Sequence, residues 1–426
     1  MTKYPTLIVF LLLSFPSFSQ RTIIHCGSLI DGKNKEVLSQ MTIVVEGLKI
    51  VSLDKGFTKP GKDDKLIDLS KKTVMPGLID MHVHIESETS KDALVKRYTQ
   101  NEADIAFQST IYAKKTLMAG FTTVRDCGGS GVNISLRNAI NQGTIVGPRI
   151  FTAGKGIATT GGHGDPTNGN KKDLMGDPGP KEGVINGPED AYKAVRQRYK
   201  DGADFIKITA TGGVLSVAKD GSGPQFTQEE VTGIVAAAKD YGFHTAAHAH
   251  GAEGMKRAVL AGITTIEHGT LMTEEVMDLM KQKGTYHVPT IIAGRSAAEY
   301  AKIPGYYHPL VVPKALEIGS RIQENFGKAY KRGVKIAFGT DAGVFPHGEN
   351  AREFGYMVEG GMPAIEALLC AMQVNAAILS MGDRIGSIEA GKLADVVAVN
   401  ENPLTNIKTM EKVTFVMKEG VVYKNE

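Results

Sequence analysis

The feature that most constrains this chain is a long middle section in which short apolar, strand-like runs alternate with amphipathic helical stretches. The strand-like runs end near His84, Asp126, Ala153, Thr209, His248, His268, Thr290 and Asp341. Between them, residues 105–118, 188–200, 228–241, 252–260 and 274–283 space their apolar side chains as a helix does. Thr227 and Glu230 form a capping box that marks one helix start, and Gly242, Gly262 and Gly284 stand where helices should stop. Eight strand–helix units of this length predict a closed (β/α)8 TIM barrel. An open doubly wound sheet is the alternative, but it would gather fewer strand ends around one point.

The flanks have a different texture. Residues 22–25, 42–46, 49–52 and 66–68 read as short strands, and so do 395–399, 413–418 and 421–424, with Gly420 at a hairpin turn. Two strand-rich ends predict a small β-sandwich-like domain built from both, residues 20–75 and 388–426, around a barrel of residues 76–387. Residues 1–19 read as a signal peptide. Lys3 is basic, residues 7–15 are apolar apart from Ser14, and Ser17 and Ser19 are small, so cleavage is expected near Ser19. A spanning helix needs about 20 apolar residues, so stable membrane insertion is not expected. The expected location is secreted or periplasmic, with an uncleaved anchor as the competing reading.

The net charge of +3 over 426 residues, with no Lys/Arg block, argues against a nucleic-acid partner. The 3 cysteines, Cys26, Cys127 and Cys370, have no CxxC spacing and read as buried small residues, not as a disulfide framework.

Candidate chemistry collects at the predicted strand ends, the face of a barrel where catalysis occurs. His82 and His84, in MPGLIDMHVHIES, lie two apart on a strand and project to one side, which suits a metal site. In HTAAHAHG, alternation puts Ala246, His248 and His250 on one side, and His268 follows in TTIEHGT. Lys207, in DFIKITATGG, faces the barrel interior with Phe205 and Thr209. A buried ammonium is costly. Two resolutions stand open: an ion pair with a carboxylate, or reaction with CO₂ to a carbamate able to bridge two cations. Asp341, in KIAFGTDAG, can bind metal through one oxygen and accept a proton with the other; a turn aspartate before Gly343 is the plainer reading.

These motifs together resemble the amidohydrolase superfamily, and more closely its imidazolonepropionase-like and Xaa-Pro dipeptidase-like branch, over residues 22–424. The ending IGSIEAGKLADVVAV is similar to that branch's return into its small β domain. The resemblance implies two divalent metal ions, usually zinc. His82, His84 and Asp341 would hold the more buried ion and His248 and His268 the outer one, with N6-carboxylated Lys207 and a hydroxide bridging. It implies hydrolysis of a C–N bond, with Asp341 as base and then acid. The expected substrates are small molecules such as dipeptides or N-acyl amino acids. A cyclic amide or lactone is the alternative substrate, and a non-catalytic binding protein the alternative function. His163, in ATTGGHG, resembles a substrate-contacting residue of relatives. His250 stands where dipeptidase-like relatives carry Tyr, with different geometry and charge. Arg295, His347 and Arg352 are candidates for a substrate carboxylate or for surface roles. Specificity is expected in loops 155–183 and 294–313. A homo-oligomer is compatible with the chain.

Overall fold

The computed structural model describes residues 20–218 and 221–426; the expected signal peptide lies outside the described residues. Eight parallel strands form the barrel. Leu78–Val83, Phe121–Asp126 and Arg149–Thr152 pair in order, as do Ile206–Thr209, Thr245–Ala249, Thr265–His268, Tyr286–Val288 and Lys335–Ile336. Two seams close the ring. The Ile157 N–H donates to Lys207 O at 2.8 Å, and the Thr209 N–H to Ile157 O at 3.0 Å. Opposite, the Met81 N–H donates to Phe338 O at 3.0 Å and the His84 N–H to Ala342 O at 2.7 Å.

Strand alternation sorts the side chains as the sequence predicts. Ile206, Ile208, Ala247 and Ala249 pack outward against helices Pro188–Asp201, Gln228–Asp240 and Ala252–Ala261. Phe205 and Ala246 meet Cys127 and Ala153 inside the ring. The helix before His248 starts as predicted: the Thr227 N–H donates to Glu230 Oε2 at 2.8 Å, and the Glu230 N–H to Thr227 Oγ1 at 3.3 Å. Among the described residues four helices end on left-handed glycines, Gly202, Gly262, Gly284 and Gly333, where side chains other than glycine are strained.

Both ends of the chain meet in one seven-stranded sheet. Strand Lys65–Pro76 lies at its centre, parallel to Arg21–Ile30 on one side and antiparallel to Val396–Val399 on the other. The far strand, Lys49–Lys55, returns to the segment before Val396, with the Ile50 N–H on Lys392 O at 2.9 Å. What reads as a sandwich is thus a single sheet rolled around its own core of Ile24, Ile43, Ile67, Val74, Val396 and Phe415.

Two details differ from the sequence reading. The eighth strand stops at Ile336, so Asp341 stands on an irregular extension held by the first strand's hydrogen bonds. Much of the stretch 294–313 is helix, because Ile291–Ala301 and Val312–Arg332 occupy its two ends.

Candidate metal centre

All six expected ligands converge inside the mouth of the barrel. Ring centroids of His82 and His84 are 5.5 Å apart, His82 and His268 5.1 Å, and His248 and His268 4.6 Å. Ligand atoms of His82, His268 and Asp341 all lie within 4.8 Å of one another. Asp341 Oδ1 is 3.5 Å from His82 Nε2 and 3.3 Å from His84 Nε2. Lys207 Nζ sits 3.5 Å from His82 Nε2.

Each imidazole has one nitrogen engaged outside the centre. His82 Nδ1 donates to Glu267 Oε2 at 2.8 Å, and His84 Nδ1 to Gly128 O at 2.7 Å. His248 Nε2 donates to Gly212 O at 3.3 Å, and His268 Nδ1 pairs with Thr290 Oγ1 at 2.7 Å. A donor hydrogen on one nitrogen leaves the lone pair on the other, so the carboxylate and carbonyl contacts of His82, His84 and His248 select the tautomer a ligand needs. Burial, with neighbouring histidines and Lys207 adding to it, depresses all four pKa values, to about 4 for His84 and well below the usual imidazole value for the rest.

The ion-pair resolution for Lys207 is not met: among the described residues no carboxylate oxygen lies within 4.0 Å of its Nζ. Asp341 Oδ1 is buried without a hydrogen-bond partner, and burial lifts its carboxyl pKa to about 7. Four neutral imidazoles, an unsatisfied carboxylate oxygen and a lysine without a counter-ion are a donor set that fits divalent cations.

Two more histidines complete the cluster. His163 lies over His248, centroids 4.4 Å apart, its Nδ1 buried and unpartnered. A Cβ on Gly213 would stand 2.3 Å from the His163 ring, so only glycine fits beneath it. His250 pairs Nδ1 with Thr270 Oγ1 at 2.9 Å and stacks on His268 at 5.0 Å.

The amidohydrolase family model matches residues 73–423, which includes every one of these residues. The chain belongs to the amidohydrolase family. This amidohydrolase is therefore an enzyme of the class that hydrolyses carbon–nitrogen bonds. A solved structure of a Xaa-Pro dipeptidase with methionine bound in its active site is 55% identical, covers 95% of this chain and 100% of its own, and superposes with a TM-score of 0.93. Ochratoxinase from Aspergillus niger is 36% identical over 332 residues, 73% of this chain and 67% of that enzyme. Imidazolonepropionase from Caldanaerobacter subterraneus subsp. tengcongensis is 33% identical over 184 residues, 41% of this chain and 38% of that enzyme.

Three candidate anion binders of the amidohydrolase have other partners. His347 pairs Nε2 with Ser87 O at 2.9 Å and stacks on Tyr112, with 3% exposure. Arg352 bonds Glu349 and Tyr356, and Arg295 lies over the Tyr356 ring at 5.0 Å.

Sequence reasoning missed the residues beneath the site. Glu267, which holds His82, also bonds Arg125 Nη2 at 2.8 Å and the Thr265 hydroxyl, all fully buried. Asp80 accepts from the His82 and Thr340 N–H groups at 3.0 and 3.1 Å, tying the first strand to the residue before Asp341. Thr290, His268 and Asp341 adopt φ of 49°, 71° and 62°. For a β-branched threonine this is strained backbone, held where Glu353 accepts the next two N–H groups, of Ile291 and Ile292, at 2.9 and 2.8 Å. Strand alternation offered the one usable signal, since Thr265, Glu267 and Arg125 fall at inward positions.

Proposed function

We propose that this amidohydrolase depends on two divalent metal ions, zinc by preference, and cleaves the amide bond of dipeptides or N-acyl amino acids. His82, His84 and Asp341 would hold one ion and His248 and His268 the other. Lys207 would be shared between them as its carbamate, formed when the neutral amine adds to CO₂ and releases one proton. When bound, such ions supply Lewis acidity toward the substrate carbonyl and lower the pKa of water.

The chain's own residues do the rest. Asp341 takes the proton of the attacking water and delivers it to the leaving nitrogen, without which an amine is a poor leaving group. His163, fixed against Gly213, points a ring nitrogen at the acyl oxygen. His250, with Nδ1 tied to Thr270, presents Nε2 to the substrate. The observation that carries this reading is the buried Asp341 Oδ1, without a hydrogen-bond partner among the described residues, amid imidazole lone pairs and beside a lysine with no carboxylate partner there. The dipeptidase likeness at 55% identity favours a dipeptide or N-acyl amino acid. The imidazolonepropionase likeness keeps cyclic amides and lactones as the second reading. A non-catalytic binder is disfavoured because all six ligand positions are filled. Export to the periplasm or medium is proposed from residues 1–19 alone.

The test is a purified, metal-loaded protein assayed on dipeptides, N-acyl amino acids, cyclic amides and lactones side by side, with Asp341→Asn as control. Hydrolysis of linear amides that Asp341→Asn lowers at least 10³-fold is expected. Turnover confined to cyclic substrates would transfer the assignment to the second reading, and no turnover at all would refute both.

A further inference from the structure

The Tyr307 hydroxyl is among the buried polar groups that lack a hydrogen-bond partner among the described residues. Tyr307 lies in the connection between helices Ile291–Ala301 and Val312–Arg332. It packs against the cluster of Val214, Ala297, Ala301, Ala315 and Ile318, as Val344 does. Val214 adjoins Gly213, the platform of His163, and Val344 lies three residues beyond Asp341. Tyr306, next in sequence and 5.0 Å away ring to ring, donates its hydroxyl to Thr89 Oγ1 at 3.3 Å. Thr89 in turn donates its N–H to Gly343 O at 2.7 Å. Loops from the first, fourth and eighth strands therefore close around this phenol. They do so beside His84, whose side chain at 31% is the most open of the histidine ligands paired with Asp341.

Among the described residues the buried Tyr307 oxygen has no partner in good hydrogen-bond geometry. The Thr89 hydroxyl acts on it without meeting hydrogen-bond geometry, the Asp341 charge reaches it, and burial pushes its pKa up. A buried hydroxyl left unsatisfied destabilises the fold that keeps it, and the surrounding side chains would accommodate phenylalanine equally well. The Asp341 charge that acts on it places the hydroxyl on the side of the connection nearer the metal centre.

We infer that Tyr307 is a substrate-binding residue: its hydroxyl donates a hydrogen bond to a carbonyl or carboxylate oxygen of the substrate, while Val214, Ile318 and Val344 receive an apolar side chain next to the scissile amide. This rests on the amide-hydrolase reading and narrows it to substrates with an apolar residue at that position.

The experiment compares metal-loaded wild type with Tyr307→Phe on N-acetyl-L-methionine, N-acetyl-L-lysine, Met-Pro and Asp-Pro, together with thermal melting. For the best substrate of the wild type, KM should rise about tenfold, kcat should stay within about threefold, and the melting temperature should be unchanged or higher. A residue with only a structural role would lower the melting temperature and produce no such KM-against-kcat split. Kinetic constants within twofold of wild type on a substrate the wild type cleaves would overturn the role of Tyr307 and leave the amide-hydrolase reading in place. A preference for the lysine or aspartate substrate would overturn the apolar wall. A wild type inactive on all four would overturn the inference together with the reading beneath it.

Discussion

Replacing Glu267 by glutamine removes one charge from an enclosed chain of contacts. Glu267 and Arg125 are both 0% exposed and bonded at 2.8 Å, and the other carboxylate oxygen holds His82 Nδ1 at 2.8 Å. The glutamine keeps the shape but leaves the Arg125 guanidinium buried without a counter-charge, which costs about 3–5 kcal/mol. Unfolding entropy of about 2.1 cal/mol/K per residue gives roughly 0.9 kcal/mol/K for a chain of this size. The metal-free variant should therefore melt about 3–6 °C below wild type. His82 also loses the carboxylate that selects its tautomer and raises its basicity, so metal affinity should fall about 10–100-fold. The two effects separate in Arg125→Met/Glu267→Gln, where no charge is left unpaired. That double variant should regain most of the melting temperature and none of the metal affinity. Calorimetric melting of metal-free protein and competitive zinc titration measure the two quantities. A single variant melting within about 1 °C of wild type, or binding zinc as tightly, would refute the argument that this buried pair supports His82.

Three further outcomes follow from the geometry. Gly213→Ala places a Cβ 2.3 Å from the His163 ring and should lower kcat/KM by about 10²-fold while circular dichroism and zinc content stay unchanged; retained activity would show that His163 does not act on the substrate. Lys207→Ala should reduce bound metal from two ions per chain to one, read by elemental analysis, and unchanged stoichiometry would exclude a bridging carbamate. Burial raises the Asp341 carboxyl from 3.8 to about 7, so the metal-free fold binds that proton before the unfolded chain does. Wild-type stability relative to Asp341→Asn should then rise as pH falls from about 7 to about 4, by up to roughly 1.4 kcal/mol per pH unit, and denaturant melts at several pH values would expose a flat difference. The buried histidines push the other way as pH falls, which is why the difference between the two proteins is the informative quantity.

The barrel and four of its candidate ligands, His82, His84, Lys207 and His248, were legible because the period of a strand is strict, whereas His268, which follows inward-facing Glu267 and has a φ of 71°, and Asp341, beyond the last strand, were read from their place at strand ends and from the resemblance. Two residues apart means one face, and that rule alone brought His82 with His84 and turned Lys207 inward. Glu267 and Arg125 obey the same rule yet pass unnoticed, since a lone Glu or Arg in a strand resembles an exposed one until its partner is located across the ring. Thr290 was beyond sequence reasoning. Threonine has no preference for positive φ, and its conformation comes from Glu353, 63 positions later, holding the helix start that follows it. His347, Arg352 and Arg295 show the opposite failure: residue type suggested anion binding, while other neighbours had already claimed each of them, distant in sequence for His347 and Arg295 and within one helical turn for Arg352. Tyr307 was hidden because its importance lies in a bond it does not make.

The rolled sheet has a consequence for how the chain comes to be made. Its middle strand, Lys65–Pro76, waits for a neighbour, Val396–Val399, that a ribosome delivers about 320 residues later. At about 5–20 residues per second, that is an interval of up to a minute in which this strand's outer edge is bare and ready to pair with the wrong chain. The barrel must therefore assemble while its own base is unfinished, and deleting the last thirty residues should yield aggregates and not a smaller enzyme.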